Sequence, residues 1–185
     1  MTLVLQRIFT RNRLFHGLLA CAALTLFALA PNPARADFLV GLDVDGVEPF
    51  EDGAAFGGGF GVRLGAQLHV PLLALTPELA FTYAQFGDDY GPSIYRGMIG
   101  GRVAIGEIIR IGVYGHIGLG SFNLDLDDED PSGSDVTYDL GLALDLTVIP
   151  ILNLGVHAAY NRFGEDDDRD SFEWLTTGAH VELVF

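Results

Sequence analysis

From Asp37 onward the chain alternates apolar with small or polar residues at a period of two, the signature of strands that present two different faces. The clearest run is Phe56 to His69. One face carries Phe56, Gly58, Phe60, Val62, Leu64, Ala66 and Leu68, and the other Gly57, Gly59, Gly61, Arg63, Gly65, Gln67 and His69. Val136 to Val148 behaves in the same way, setting Val136, Tyr138, Leu140, Leu142, Leu144, Leu146 and Val148 against Thr137, Asp139, Gly141, Ala143, Asp145 and Thr147. The same rule predicts strands over Asp37–Asp45, Leu75–Gln85, Tyr95–Ile105, Ile109–Phe122, Leu152–Asn161 and Trp174–Phe185, which makes eight.

Chemistry decides which face looks inward. Large apolar residues along every strand would overfill the narrow interior of an eight-stranded barrel, whereas glycines and paired charges fit there. A barrel that is apolar outside and polar inside is soluble only in a bilayer. There, strands of about 9–11 residues suffice to span, and closure satisfies every backbone hydrogen bond. The predicted fold is therefore all-β, a transmembrane eight-stranded antiparallel up-and-down barrel.

The connections agree with this. Those at 70–73, 106–108 and 149–151 are short, and those at 46–53, 87–93, 125–135 and 163–171 are longer and acidic. Short turns at one end and long loops at the other are the habit of outer-membrane barrels. Phe56, Tyr83, Tyr95, Tyr138 and Tyr160 fall on the apolar face near the long-loop end, as an interfacial aromatic girdle would.

Composition sharpens the boundaries. The 185 residues are 49% hydrophobic yet carry a formal charge of −15, and all ten basic residues are arginine. Residues 1–36 hold four of those arginines and no acid. A basic start, an apolar stretch from Leu14 to Ala30 and the triplet Ala34-Arg35-Ala36 follow the order of a cleaved secretory signal. Two segments are thus expected, a signal peptide over 1–36 with Ala34 and Ala36 marking cleavage before Asp37, and a barrel domain over 37–185. Leu18-Leu19-Ala20-Cys21 has the look of a lipoprotein acylation site, but the apolar stretch runs on past Cys21 to Ala30. Cys21 is the single cysteine, so the barrel domain is expected to hold together without disulfides.

The inward positions include Arg63, Arg96, Arg102 and Arg110 together with Asp43, Asp45, Glu78, Asp139, Asp145 and Glu182. Unpaired charges there would cost several kcal/mol each, so a plug of ion pairs is expected rather than a pore. His69, His116, His157 and His180 share the inward parity, but their expected heights differ and no metal centre is predicted from them. No serine lies within two residues of a histidine, and His116 and Ser121 differ in parity, so no catalytic residue and no enzyme activity is predicted. Sixteen of the 25 acids lie in the four long loops. Asp127, Asp128, Asp130, Asp166, Asp167 and Asp168 are surface candidates for weakly bound Ca2+, although neither cluster has the spacing of a helix–loop–helix calcium site. Binding to nucleic acid is not expected at this charge.

With this pattern the chain resembles the small eight-stranded outer-membrane proteins of Gram-negative bacteria, the group of the OmpA transmembrane domain, OmpX and the opacity proteins. The resemblance spans residues 37–185. Its most specific element is the C-terminal run with Thr176, Gly178, Val181, Leu183 and a terminal Phe185, which looks like the signal read by the barrel-assembly machinery. Leu75-Thr76-Pro77-Glu78-Leu79 is also similar to third-strand sequences of the group. The chain stops at the last strand, so the periplasmic peptidoglycan-binding domain that OmpA-type proteins often append is not expected.

The resemblance implies a monomeric cell-surface protein of the outer membrane with both termini periplasmic and no cofactor. Its partners would be membrane lipid and lipopolysaccharide, with the assembly machinery during biogenesis. The expected role is structural or surface-interacting. An adhesin or a binder of divalent cations or lipopolysaccharide is the alternative, and a lipid-modifying enzyme the second.

Overall fold

The computed structural model describes residues 36–51, 55–70, 73–87, 91–123, 133–164 and 171–185. The expected leader with Cys21 and Ala34, and the loop residues Asp127, Asp128, Asp130, Asp166, Asp167 and Asp168, lie outside them. Eight strands follow one another: β1 (Ala36–Pro49), β2 (Gly57–Val70), β3 (Leu73–Gln85), β4 (Ser93–Ile105), β5 (Ile109–Asn123), β6 (Gly133–Ile149), β7 (Leu152–Phe163) and β8 (Phe172–Val184). Each pairs antiparallel with the next, and β1 pairs with β8 from Leu39↔Val184 to Pro49↔Trp174, closing the barrel. Closure is extended by two backbone hydrogen bonds between Phe38 and Phe185, of 3.1 and 2.9 Å. The cleavage-flanking Ala36 is the first residue of β1.

The strands run further toward the long loops than the alternation predicts. β1 continues to Pro49, and β6 begins at Gly133, so Glu48 and Asp135 are strand residues. Backbone pairing in a hairpin is indifferent to side-chain polarity, so the ladder continues past the point where the apolar face ends. At the other end Gly106 makes the tight β4–β5 turn with a φ of 116°, in the left-handed region where a side chain is strained.

Parity decides orientation throughout. On β6, Leu140 and Leu142 are 66% and 61% exposed, while Asp139 and Asp145 on the other face are 7% and 2% exposed. A belt of exposed Leu, Ile, Val and Phe side chains surrounds the barrel, a surface suited to hydrocarbon rather than water. Near the long-loop end Tyr83 sits between Phe60 and Tyr95, with ring centroids at 5.3 and 4.7 Å. Tyr160 lies 6.3 Å from Tyr138 and 6.1 Å from Phe50, so much of the girdle is two aromatic clusters.

Large inward side chains need room that only a glycine opposite can leave. A methyl group on Gly141 would collide with the Tyr114 phenol, and one on Gly100 with the His116 ring and backbone. The abundance of inward glycine is therefore the complement of the lumen's large polar side chains.

Candidate functional site in the barrel lumen

The lumen has two zones. Its midsection is polar. Arg63 of β2 forks onto Asp43 of β1, with Nη2 donating to Oδ1 at 2.8 Å and Nε donating to both carboxylate oxygens at 3.2 and 3.0 Å. The same guanidinium reaches Glu182 of β8 at 3.1 Å and Glu78 of β3 at 3.9 Å. Arg102 of β4 contacts Glu182 at 2.6 Å, Asp145 at 3.2 Å and Glu78 at 3.3 Å. Two arginines thus tie four carboxylates from four strands, and every member is buried. At such burial the forked geometry matters more than the count of pairs, because desolvation takes back much of the Coulombic gain.

Histidines extend this network. His116 places Nδ1 at 2.8 Å from Asp139 Oδ1 and Nε2 at 3.3 Å from Glu78 Oε2, so both ring nitrogens face carboxylates. His157 Nε2 lies 2.9 Å from Asp45 Oδ1, and His180 Nε2 lies 2.8 Å from Asp145 Oδ1. The Nδ1 atoms of His157 and His180 face each other at 3.2 Å. His69 stands apart, half-exposed and 3.6 Å from Asp37. The expectation that the histidines are spread over different heights therefore fails for one pair. β7 and β8 pair with His157↔Gly178 and Gly155↔His180, which sets the two rings diagonally across adjacent strands.

Two arginines expected in the ion-pair plug do not join it. Arg96 is buried, yet it donates to Thr82 Oγ1 and Asn161 Oδ1, each at 2.8 Å, and its guanidinium lies 4.9 Å from the centre of the Trp174 ring. Its charge is met by neutral acceptors and a π-face rather than by a carboxylate. Arg110 is only partly buried, being the second residue of β5 after a short turn, and forms no ion pair with the described residues. Water can solvate a guanidinium at that position, so it needs no partner.

Beyond Arg96 the second zone begins. Val47, Ala84, Phe86, Ile94 and Trp174 form a buried apolar cluster with Phe122, Phe163 and Phe172 packed against it. Phe86 meets Phe172 and Trp174 edge-on, at 4.9 and 5.6 Å between centroids. All these residues lie at strand ends next to the long loops, so the polar midsection is capped by an aromatic lid. The alternation carries this signal, because Val47, Phe86, Ile94 and Trp174 continue the inward parity of Asp45, Ala84, Arg96 and Thr176. Strands ended at Asp45 and Gln85, or begun at Tyr95, stop just short of it.

Of the residues expected to signal assembly, Gly178 faces the lumen opposite His157, Val181 and Leu183 lie on the outer parity, and Phe185 is exposed beside β1.

Residues 19–180 match the family model of the outer membrane protein beta-barrel domain. The chain belongs to this family. It is an eight-stranded outer-membrane barrel, homologous to outer-membrane proteins of Gram-negative bacteria. Among solved structures it is similar to the Neisserial surface protein A (15% identity, TM-score 0.63, covering 80% of this chain and 97% of that one). It is also similar to Ail, the attachment invasion locus protein of Yersinia pestis (15% identity, TM-score 0.54, covering 81% and 97%). The N-terminal β-barrel domain of Pseudomonas aeruginosa OprF is a third (14% identity, TM-score 0.54, covering 82% and 100%). At these identities the likeness is one of fold. No curated protein matches the sequence significantly.

Proposed function

We propose that the protein is a closed, non-enzymatic outer-membrane barrel with a structural or surface-interaction role, its termini in the periplasm and its acidic loops outside the cell. The observation that carries this reading is the double obstruction of the lumen. The ion-paired midsection leaves a cavity of about 40 Å3, room for roughly two or three waters, and the aromatic cluster lies above it. Lying in series along the lumen, the two zones disfavour a continuous wet path among the described residues. The ring nitrogens of the lumen histidines face carboxylates and one another rather than a serine, and this favours a non-catalytic interior.

The reading is tested by conductance. Purified protein in planar bilayers is expected to give little steady current, and a robust open channel overturns the proposal. Mass spectrometry of lipid A from a deletion strain tests the non-enzymatic part, with unchanged acylation expected.

A second reading, binding of divalent cations or lipopolysaccharide through the loops, is favoured by the sixteen acids concentrated there. It predicts slowed hydrogen exchange in the loops as calcium is raised, and no change at millimolar calcium removes it.

A further inference from the structure

We infer that His157, His180 and Asp43 form a binding site for a divalent transition-metal ion of the zinc class inside the lumen. One ligand atom from each of these side chains lies within 4.8 Å of the others. The ring nitrogens identify the donors. Both Nε2 atoms are held by carboxylates, His157 by Asp45 at 2.9 Å and His180 by Asp145 at 2.8 Å, which makes them the protonated nitrogens. The two Nδ1 atoms are then both lone-pair donors, and they face each other at 3.2 Å. Two bare lone pairs at that distance repel unless something positive lies between them.

A metal ion suits the spacing. Nitrogens each about 2.05 Å from a tetrahedral zinc-like ion stand roughly 3.3 Å apart. The carboxylate behind each imidazole is the usual support of a ligating histidine, fixing its tautomer and ring orientation. Asp43 supplies an oxygen donor, because its fork with Arg63 leaves lone pairs on both carboxylate oxygens. All three side chains line the cavity of about 40 Å3, which has space for a water as fourth ligand.

Charge balance points the same way. In the midsection the carboxylates outnumber the arginines by three, Asp43, Asp45, Glu78, Asp139, Asp145 and Glu182 against Arg63, Arg96 and Arg102. His116, with carboxylates at both nitrogens, accounts for one positive charge as the imidazolium. A divalent ion on the neutral pair supplies the remaining two. A single proton shared between the Nδ1 atoms supplies only one.

The backbone is shaped for the rings. A methyl group on Gly155 would strike the His180 ring and the Asp145 carboxylate, and one on Gly178 would strike Asp45 and the His157 ring. A second grouping, Asp145 with His180 and Glu182, is less suited to a metal. It offers a single imidazole, and Asp145 already holds the Nε2 of that ring at 2.8 Å.

The test uses the protein without a polyhistidine tag, folded into detergent micelles with Co2+ present so that access does not limit loading. The expected result is the intense visible absorption of four-coordinate Co2+, saturating at one ion per folded chain and bleached by one equivalent of Zn2+. His157→Gln and His180→Gln are each expected to weaken uptake by at least about 100-fold, and Asp45→Asn, acting through ring orientation, by about 10–100-fold. Uptake is read on the folded fraction, separated by the mobility of unheated samples in electrophoresis, so a variant that folds poorly still reports. His69→Gln, away from the site, is expected to bind as the parent does. Folded parent protein without these bands, or with only the pale absorption of six-coordinate Co2+, overturns the inference. So does undiminished uptake by both imidazole variants.

Discussion

The two zones of the lumen fill the same barrel by opposite means. In the midsection Arg63 and Arg102 are fixed by directional contacts to Asp43, Glu78, Asp145 and Glu182, and each guanidinium answers to several strands at once. At the long-loop end Trp174, Phe86 and Ile94 are held by packing that has no preferred partner. The first arrangement does not tolerate the loss of a member, because what remains is an uncompensated buried charge. The second degrades in proportion to the volume removed.

The largest expected effect follows from the first zone. Arg102→Leu strands three carboxylates in a buried site, and unfolding by urea in lipid vesicles should show a loss of about 4 kcal/mol. Trp174→Ala in the second zone should cost about 3 kcal/mol in the same assay, through the cavity it leaves. Combining the two tests whether the zones are separate: the costs should add to within about 0.5 kcal/mol, and a larger coupling means that Arg96, which touches Trp174, links them.

Trp174→Phe should cost only about 1 kcal/mol, because among the described residues the indole Nε1 has no hydrogen-bond partner to lose. Arg110→Gln should change stability by less than about 0.5 kcal/mol. Arg110 shares charge and inward parity with Arg102, so a large effect there would break the distinction between paired and solvated lumen arginines.

Much of this architecture is legible in the sequence, for a physical reason. A barrel in a bilayer must segregate apolar from polar residues on every strand, so alternation gives strand number, strand faces and the short and long ends together. Leu140 out and Asp139 in follow from that rule alone. Contacts between strands are less accessible, since parity says that Arg96 and Arg102 both point inward but not which meets a carboxylate. That depends on register, and the register of β7 against β8 is also what joins His157 to His180. The aromatic cap escapes for another reason. Val47, Phe86 and Ile94 are apolar on the inward face, so a reading that takes inward as polar stops one or two residues short of them, and Trp174, inside its predicted strand, is left without its partners.

The ion-paired midsection also bears on how the barrel comes together. Arg102 and Glu182 are 80 residues apart in sequence, and Glu182 lies on the last strand. Until β8 arrives, Arg63 and Arg102 lack one of their main partners, although Arg63 can already meet Asp43, 20 residues away on the neighbouring strand. Pairings as distant as that of Arg102 with Glu182 make closure slow relative to the formation of neighbouring hairpins. A half-assembled sheet must therefore keep its inner charges in water, and the interior can dry out only after the final strand has docked on β1.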